Sequence, residues 1–481
     1  FRPRSPFRPL CPPPPPPTQR LPLLNEVWKH VTRVEDPAVY VGIASEYVEY
    51  VCTFFGDREV CVLVGDVISH VSPDRAYLNL QDELGRIGTS LVNKYTDFRR
   101  IVALPVFSSF LDILQGPVRK HLGKSLLTLF LDLPPGASRD PVVLHTGFTL
   151  AKGLHDELDS LSLDDERRQS GALIARFVRM VEFGDDLEKH LSFLVECRRF
   201  LVNLDVVKEA VVCVVASLID RANDKVKMKH TRRTMSFVKA CLAFCHITIP
   251  SITDRTRRLH HFLRLARTAL SLSLLSQCDT LLKGAVTTIP DSPPAVLLDE
   301  DLLPFLAALS STLVAVPGHP EHGPFFVPKG LLNVIRERDW TTPASKLHAY
   351  SFMLSLFCAL AQRRLPYTVE GTEGNDILFA RDTAYLQELQ EVLDRLTDEC
   401  TTLYPLVQSA PPLLDLLNRL LCSAVMTPQA CALAWEVFGA AQRLATSRSE
   451  QRWLLNTAEY TQAKGGKIYQ ELGKRMIAAC R

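Results

Sequence analysis

The sequence has no excess of charge of either sign: 55 Lys and Arg stand against 53 Asp and Glu, a net +2 over 481 residues. A balance so near zero gives no global field to hold nucleic acid or an anionic membrane, so either partner would need a local patch. Long apolar runs are missing too. The longest, Ala210 to Ile219 and Phe352 to Ala361, fall short of the roughly 20 residues that cross a bilayer and read as buried helices. Period-two alternation is scarce, which argues against a sheet protein. There is no signal-peptide pattern, and the chain opens on Phe1 rather than Met, so it reads as a fragment of something longer.

What is there is ordinary folded composition, 47% hydrophobic and 22% charged. The length supplies about three domains' worth of material or one extended repeat array. From about Leu24 onward, apolar residues recur at three- and four-residue spacing between short polar turns, an all-helical signature. In GDDLEKHLSFLV, Asp185 with Glu188 reads as a capping box, opening a helix whose stripe is Leu187, Leu191, Leu194 and Val195. In LSLDDERR, Asp164, Asp165 and Glu166 fall in a first turn, where carboxylates meet the positive end of the helix dipole and need no catalytic role. VVKEAVVCVVASLI, from Val206, is apolar nearly all round and predicts a helix covered on several sides. Turns such as DLPPGASRD, TIPDSPPA, VPGHPEHGP and VEGTEGND recur without a globular linker, giving roughly twenty helices in one array. The expected fold class is all-α, a HEAT-like helical-repeat solenoid over residues 23–481, with joints near 134–139, 290–297 and 368–376. Residues 1–22 read as a proline-rich disordered flank, because consecutive prolines fix φ and remove backbone donors.

Candidate chemistry is sparse. Thirteen cysteines, mostly in apolar segments (Cys213, Cys241, Cys245, Cys358), read as reduced core thiols and point to a cytoplasmic compartment. Cys241, Cys245 and His246 lie about one helical turn apart, but no second ligand pair follows at zinc-site spacing. GPVRKHLGKS sets Gly116 seven residues before Gly123, where a phosphate loop needs five and a preceding strand. The most basic segments, 224–233 and 256–267, could offer Arg257, His261 and Arg264 on one helix face to phosphates or an acidic partner. Few aromatics interleave them, and a solvated face is the plainer reading.

VPGHPEHGPFF, from Val316 to Phe326, is the densest stretch. His319, Glu321 and His322 are spaced i, i+2, i+3, whereas the HExxH zinc motif needs its histidines four apart on a helix. Pro317, Pro320 and Pro324 forbid that helix. The better reading is a stiff connector: one helix ends near Ala315, and Pro328 starts the next through GLLNVIRERDW. Rigid, aromatic-flanked turns make good docking surfaces. The partner-binding candidates are therefore His319, Pro320, Glu321, His322, Gly323, Phe325, Phe326 and Trp340; an equal alternative is that Phe325, Phe326 and Trp340 are core. No catalytic residue, metal or cofactor is expected.

This stretch, continued as VPGHPEHGPFFVPKGLLNVIRERDW, resembles the large α-solenoid subunit of the retriever complex, a paralogue of the largest retromer subunit. LNEVWKHVTRVEDPAVY, GDVISHVSPDRAY, DPVVLHTGFTLAKGLHDELDSLSLDDERR, VRMVEFGDDLEKHLSFLVECR and HTRRTMSFVKACLAFCHITIPSI carry the same resemblance in the same order. It implies a non-enzymatic scaffold, cytoplasmic and peripheral on endosomes, that helps return membrane cargo to the cell surface. The implied partners are a small metallophosphoesterase-fold subunit, an arrestin-like subunit, a sorting-nexin cargo adaptor and the coiled-coil and COMM-domain accessory complex, with no nucleic acid. The chain resembles the carboxy-terminal half or somewhat more, where the phosphoesterase-fold subunit docks; the arrestin-like subunit docks toward the other end and is in doubt here. Pro328 and Gly330 depart from the family pattern and are expected to delay their helix by a turn. The rival function is a helical-repeat adaptor for nucleic acid or transport receptors, using the two basic segments.

Overall fold

The computed structural model describes residues 17–134, 139–158, 162–201, 203–227, 229–319, 321–379, 382–423 and 427–480. These form helices α1 (Pro17–Val31), α2 (Pro37–Phe54), α3 (Asp57–Val71), α4 (Gln81–Lys94), α5 (Phe98–Val102), α6 (Phe107–Ile113), α7 (Gly116–Leu131), α8 (Pro141–Asp156), α9 (Asp164–Met180), α10 (Leu187–Phe200) and α11 (Asp205–Val226). There follow α12 (Arg232–Thr248), α13 (Arg255–Ser271), α14 (Leu275–Thr288), α15 (Asp299–Ala315), α16 (Phe326–Glu337), α17 (Pro343–Leu360), α18 (Asn375–Leu378), α19 (Thr383–Leu403), α20 (Ala410–Ser423), α21 (Pro428–Leu444), α22 (Arg448–Ala463) and α23 (Lys467–Cys480). Among the described residues the only β pairing is an isolated bridge, His319 with Gly323.

Helix starts follow local chemistry. Asp36, Asp97, Asp140, Asp186, Thr231, Asp254, Thr342, Asp382, Thr427 and Ser447 each accept a hydrogen bond from a first-turn amide that has no partner within its helix. In Asp36-Pro37, Asp140-Pro141, Thr342-Pro343 and Thr427-Pro428 the cap precedes a proline whose missing N–H costs nothing in that turn. Two expectations shift. The cap of α10 is Asp186, not Asp185, and Val195 is 47% exposed while His190, Leu194 and Cys197 form the buried stripe. Which residues share a face is fixed by the helical period, and packing against neighbouring helices selects which face is covered. Helix α1 also runs back to Pro17, inside the stretch read as a disordered flank, because a first-turn proline is compatible with a helix. Residues 1–16 lie outside the described residues.

The chain divides into two compact units, Phe1–Val211 and Val212–Arg481, inside α11 and away from the three joints read from the sequence. Within the first unit α2 packs on α3 and α4, α4 on α7, and α7 on α8 and α9. Its core carries an aromatic chain: Phe98 to Phe130 at 5.4 Å, Phe130 to Phe177 at 4.9 Å and Phe177 to Phe193 at 6.3 Å, all edge-on. Glu166, in the first turn of α9, pairs with Lys120 of α7 at 2.6 Å, so this acid serves packing as well as the dipole.

In the second unit the helices again pack mostly on neighbours one or two places along the chain. One file runs α13, α15, α17, α20, α22 and the other α12, α14, α16, with α19, α21 and α23 continuing it. Both units are therefore all-α helical-repeat stacks. Polar groups stitch the first file: Arg267 donates to Thr312 Oγ1 at 2.9 Å, Asp415 meets His348 at 3.2 Å and Arg419 at 2.7 Å, and Thr457 donates to Asn418 at 2.9 Å. Ion pairs Lys329–Glu388 and Arg336–Glu399 join α16 to α19. The deepest pair is Arg338 with Asp299, 3.8 Å apart with side chains only 4% and 6% exposed. Arg338 also donates to the carbonyls of Ser292 and Leu297, and Asp299 accepts from Thr341.

Two predictions follow from these pairs. Arg338→Ala strands the Asp299 carboxylate and is expected to cost about 3 kcal/mol, read as a lower urea midpoint, with Arg338→Leu/Asp299→Leu milder than the single change. Burial works against the Asp415 carboxylate, but hydrogen bonds from His348 and Arg419 outweigh it and hold its pKa at about 2. A depressed pKa contributes stability above the unfolded value of about 3.9, and that stability is lost as pH falls through 2. Urea titrations of the wild type and of Asp415→Asn should therefore converge as pH falls below about 4 and reach their closest approach near 2.

Candidate partner-binding site

The stretch from Val316 to Phe326 joins α15 to α16. Gly318 closes it: a Cβ there would lie 2.6 Å from Pro324 Cα, so only glycine allows the approach. The Gly318 N–H donates to Asn375 Oδ1 at 2.7 Å, tying the loop to the connection after α17. His319 and Gly323 exchange backbone hydrogen bonds at 3.2 and 3.0 Å, with Gly323 at φ +87°. Inside this turn His319 Nδ1 accepts from the amides of Glu321 and His322, at 3.1 and 3.2 Å. A nitrogen accepting from N–H groups carries no proton, so the proton is assigned to Nε2, which faces Asp279 Oδ2 at 3.8 Å.

A stack of rings and a cation forms one wall. His319 lies 4.5 Å from His322, His322 lies 4.6 Å from Phe326, and Lys283 Nζ sits 4.8 Å over Phe326 while pairing with Asp279 at 2.7 Å. Beside it opens a cavity of about 430 Å³, walled by Leu275, Leu313, Val316, Pro324 and Val327 and edged by Asp279 and Glu321.

Of the residues named from sequence, His319, Glu321, His322, Gly323 and Phe326 are brought together, and Phe326 is 42% exposed. Pro320 lies outside the described residues. Phe325 is core: it is 2% exposed and stacks on Tyr385 at 4.7 Å. Trp340 is not part of the cluster. It follows the far end of α16, about 18 Å along the helix, where its Nε1 donates to the Ile335 carbonyl at 2.9 Å under Arg338. The helix begins at Phe326, two residues before Pro328, so neither Pro328 nor Gly330 delays it; proline in the first turn forgoes no intrahelical bond. The sequence reading missed Asp279 and Lys283 of α14, whose i, i+4 spacing was the available signal, and Asn375, for which there was none.

Other candidates are absorbed by the fold. GPVRKHLGKS forms the start of α7. Cys241 and Cys245 are buried, and burial pushes the Cys241 thiol up to about 12. In the basic segment 256–267 Arg257 pairs with Asp254, Arg264 faces Asp220 at 3.9 Å, and Arg267 is engaged by α15. Among the described residues no group of three or more His, Cys, Asp and Glu side chains is placed to hold a metal, and no helix is long and apolar enough to cross a membrane.

Two stacks of paired helices, with their most articulated feature on an inter-helix loop, define a helical-repeat protein whose candidate site is a surface. The family model described as VPS35L C-terminal domain matches residues 9–480, and the chain belongs to that family. It is 34% identical to the VPS35 endosomal protein sorting factor-like protein of Dictyostelium discoideum over 95% of this chain and 48% of that one. It is 36% identical to the human VPS35 endosomal protein-sorting factor-like protein over 77% of this chain and 40% of that one, and 35% identical to that of Danio rerio over 79% and 40%. The chain thus spans less than half the length of these relatives.

His319 acts as a side-chain cap, so chemistry rather than bulk should matter. His319→Ala is expected to speed amide hydrogen exchange at Glu321 and His322 about fivefold, the loss of about 1 kcal/mol of hydrogen bonding, while His319→Asn, which retains an acceptor, recovers most of the protection.

Proposed function

We propose that the chain is an endosomal protein-sorting scaffold of retriever type, peripheral on endosomes, and that residues 212–481 hold a small metallophosphoesterase-fold subunit. The observation that carries this is the family match along residues 9–480, together with relatives whose names describe endosomal protein sorting. The stacked-helix architecture supports it: repeats touching only their neighbours expose long walls and loops without requiring an active-site pocket. In this reading His319, Glu321, His322, Gly323 and Phe326 form part of the docking surface. The sorting-nexin adaptor and the coiled-coil and COMM-domain accessory complex are the further partners of the same assembly, which returns membrane cargo to the cell surface.

Size-exclusion chromatography with light scattering on the whole chain, mixed with the phosphoesterase-fold subunit of the same organism, tests the reading. A one-to-one complex is expected, weakened about tenfold by Phe326→Asp through loss of an exposed aromatic contact. No complex from a chain that circular dichroism shows to be folded would end the proposal.

A further inference from the structure

The loop that the proposed function uses as a docking surface also borders a cavity, and the chemistry of that cavity selects its occupant. The walls are mainly aliphatic side chains, prolines and the ring of Phe326, with Ser276, Thr280 and His319 as polar contributors. About 430 Å³ falls within the roughly 300–1,000 Å³ typical of ligand pockets. The loop offers few donors: the amides of Glu321 and His322 are held by His319 Nδ1, and those of His319 and Gly323 by each other's carbonyls. Two carboxylates stand at the edge. Asp279 is answered by Lys283 at 2.7 Å, and Lys283 is in turn held over Phe326. Glu321 is exposed and has no ion pair among the described residues. The cavity therefore combines an apolar interior with one unmet negative charge at its mouth.

We infer that this cavity receives an extended peptide segment of a partner, placing an aliphatic side chain between α14 and the loop and an adjacent lysine or arginine against Glu321. Apolar burial supplies the attraction, and the carboxylate sets the direction and excludes acidic segments. The inference deepens the docking role proposed for the loop, yet it rests on the cavity's own chemistry.

The test uses the whole chain and n-hexylguanidinium, the smallest probe joining an aliphatic chain to a cation, with hexanoate as the comparison, both titrated by saturation-transfer NMR. Hexylguanidinium should bind and hexanoate should bind about two- to fivefold more weakly, the range of an exposed charge pair. Glu321→Lys, on an exposed loop position, should reverse that preference. Thr280→Trp, which plugs the cavity from an exposed position of α14, should abolish both signals. Equal binding of the two probes, or a preference indifferent to Glu321→Lys, would overturn the inference, as would signals that survive Thr280→Trp. Probe binding without a complex with the phosphoesterase-fold subunit removes the proposed function and keeps the cavity. A complex without probe binding does the reverse.

Discussion

Helix α17 has almost no surface to give to water. Leu347, Tyr350, Met353, Leu354, Leu356, Phe357 and Leu360 point around most of its circumference and are all buried. A helix apolar on every side is stable in water only if neighbours close over it from several directions. α15, α16, α19 and α20 do so. That demand fixes much of the second unit: α15 and α20 flank α17 within its own file, α16 and α19 of the other file close over it, and the connections must lie at the helix ends.

The connections are consequently short of freedom. The loop before α16 is tied by its internal bridge and by Asn375, while Phe325 is drawn under Tyr385 and Phe379 stacks on the same ring at 5.2 Å. Tyr367 and Ser273 tether the connection after α17 to α15 and to the turn after α13. A loop so held keeps one shape at little entropic cost when something docks on it, because its ordering was settled on folding. Its exposed groups, Glu321, His322 and Phe326, are presented on a scaffold that the core has already made rigid.

Polar groups divide their work by depth. At the surface, pairs such as Lys329 with Glu388 join neighbouring helices at modest gain, since water competes for both partners. In the interior, Arg338 with Asp299 fixes how the residues after α16 meet the first turn of α15, and removing either partner would leave a charge without water. The basic segment 256–267 shows the same economy: Arg257, Arg264 and Arg267 face acids or acceptors of this chain.

The sequence alone determined the all-helical class, the run of caps and prolines that begin helices, and the stiff break between Ala315 and Phe326. These are local properties, set by periodicities of three to four residues and by the backbone limits of proline and glycine. Tertiary structure decided the rest. It placed Phe325 inside and Phe326 outside, and brought Asp279, Lys283 and Asn375 to the loop from residues about 40 to 60 positions away. It also put the division of the chain within α11. Such choices depend on which faces of distant helices meet, and a pattern of apolar spacing says that a face must be covered without saying by what.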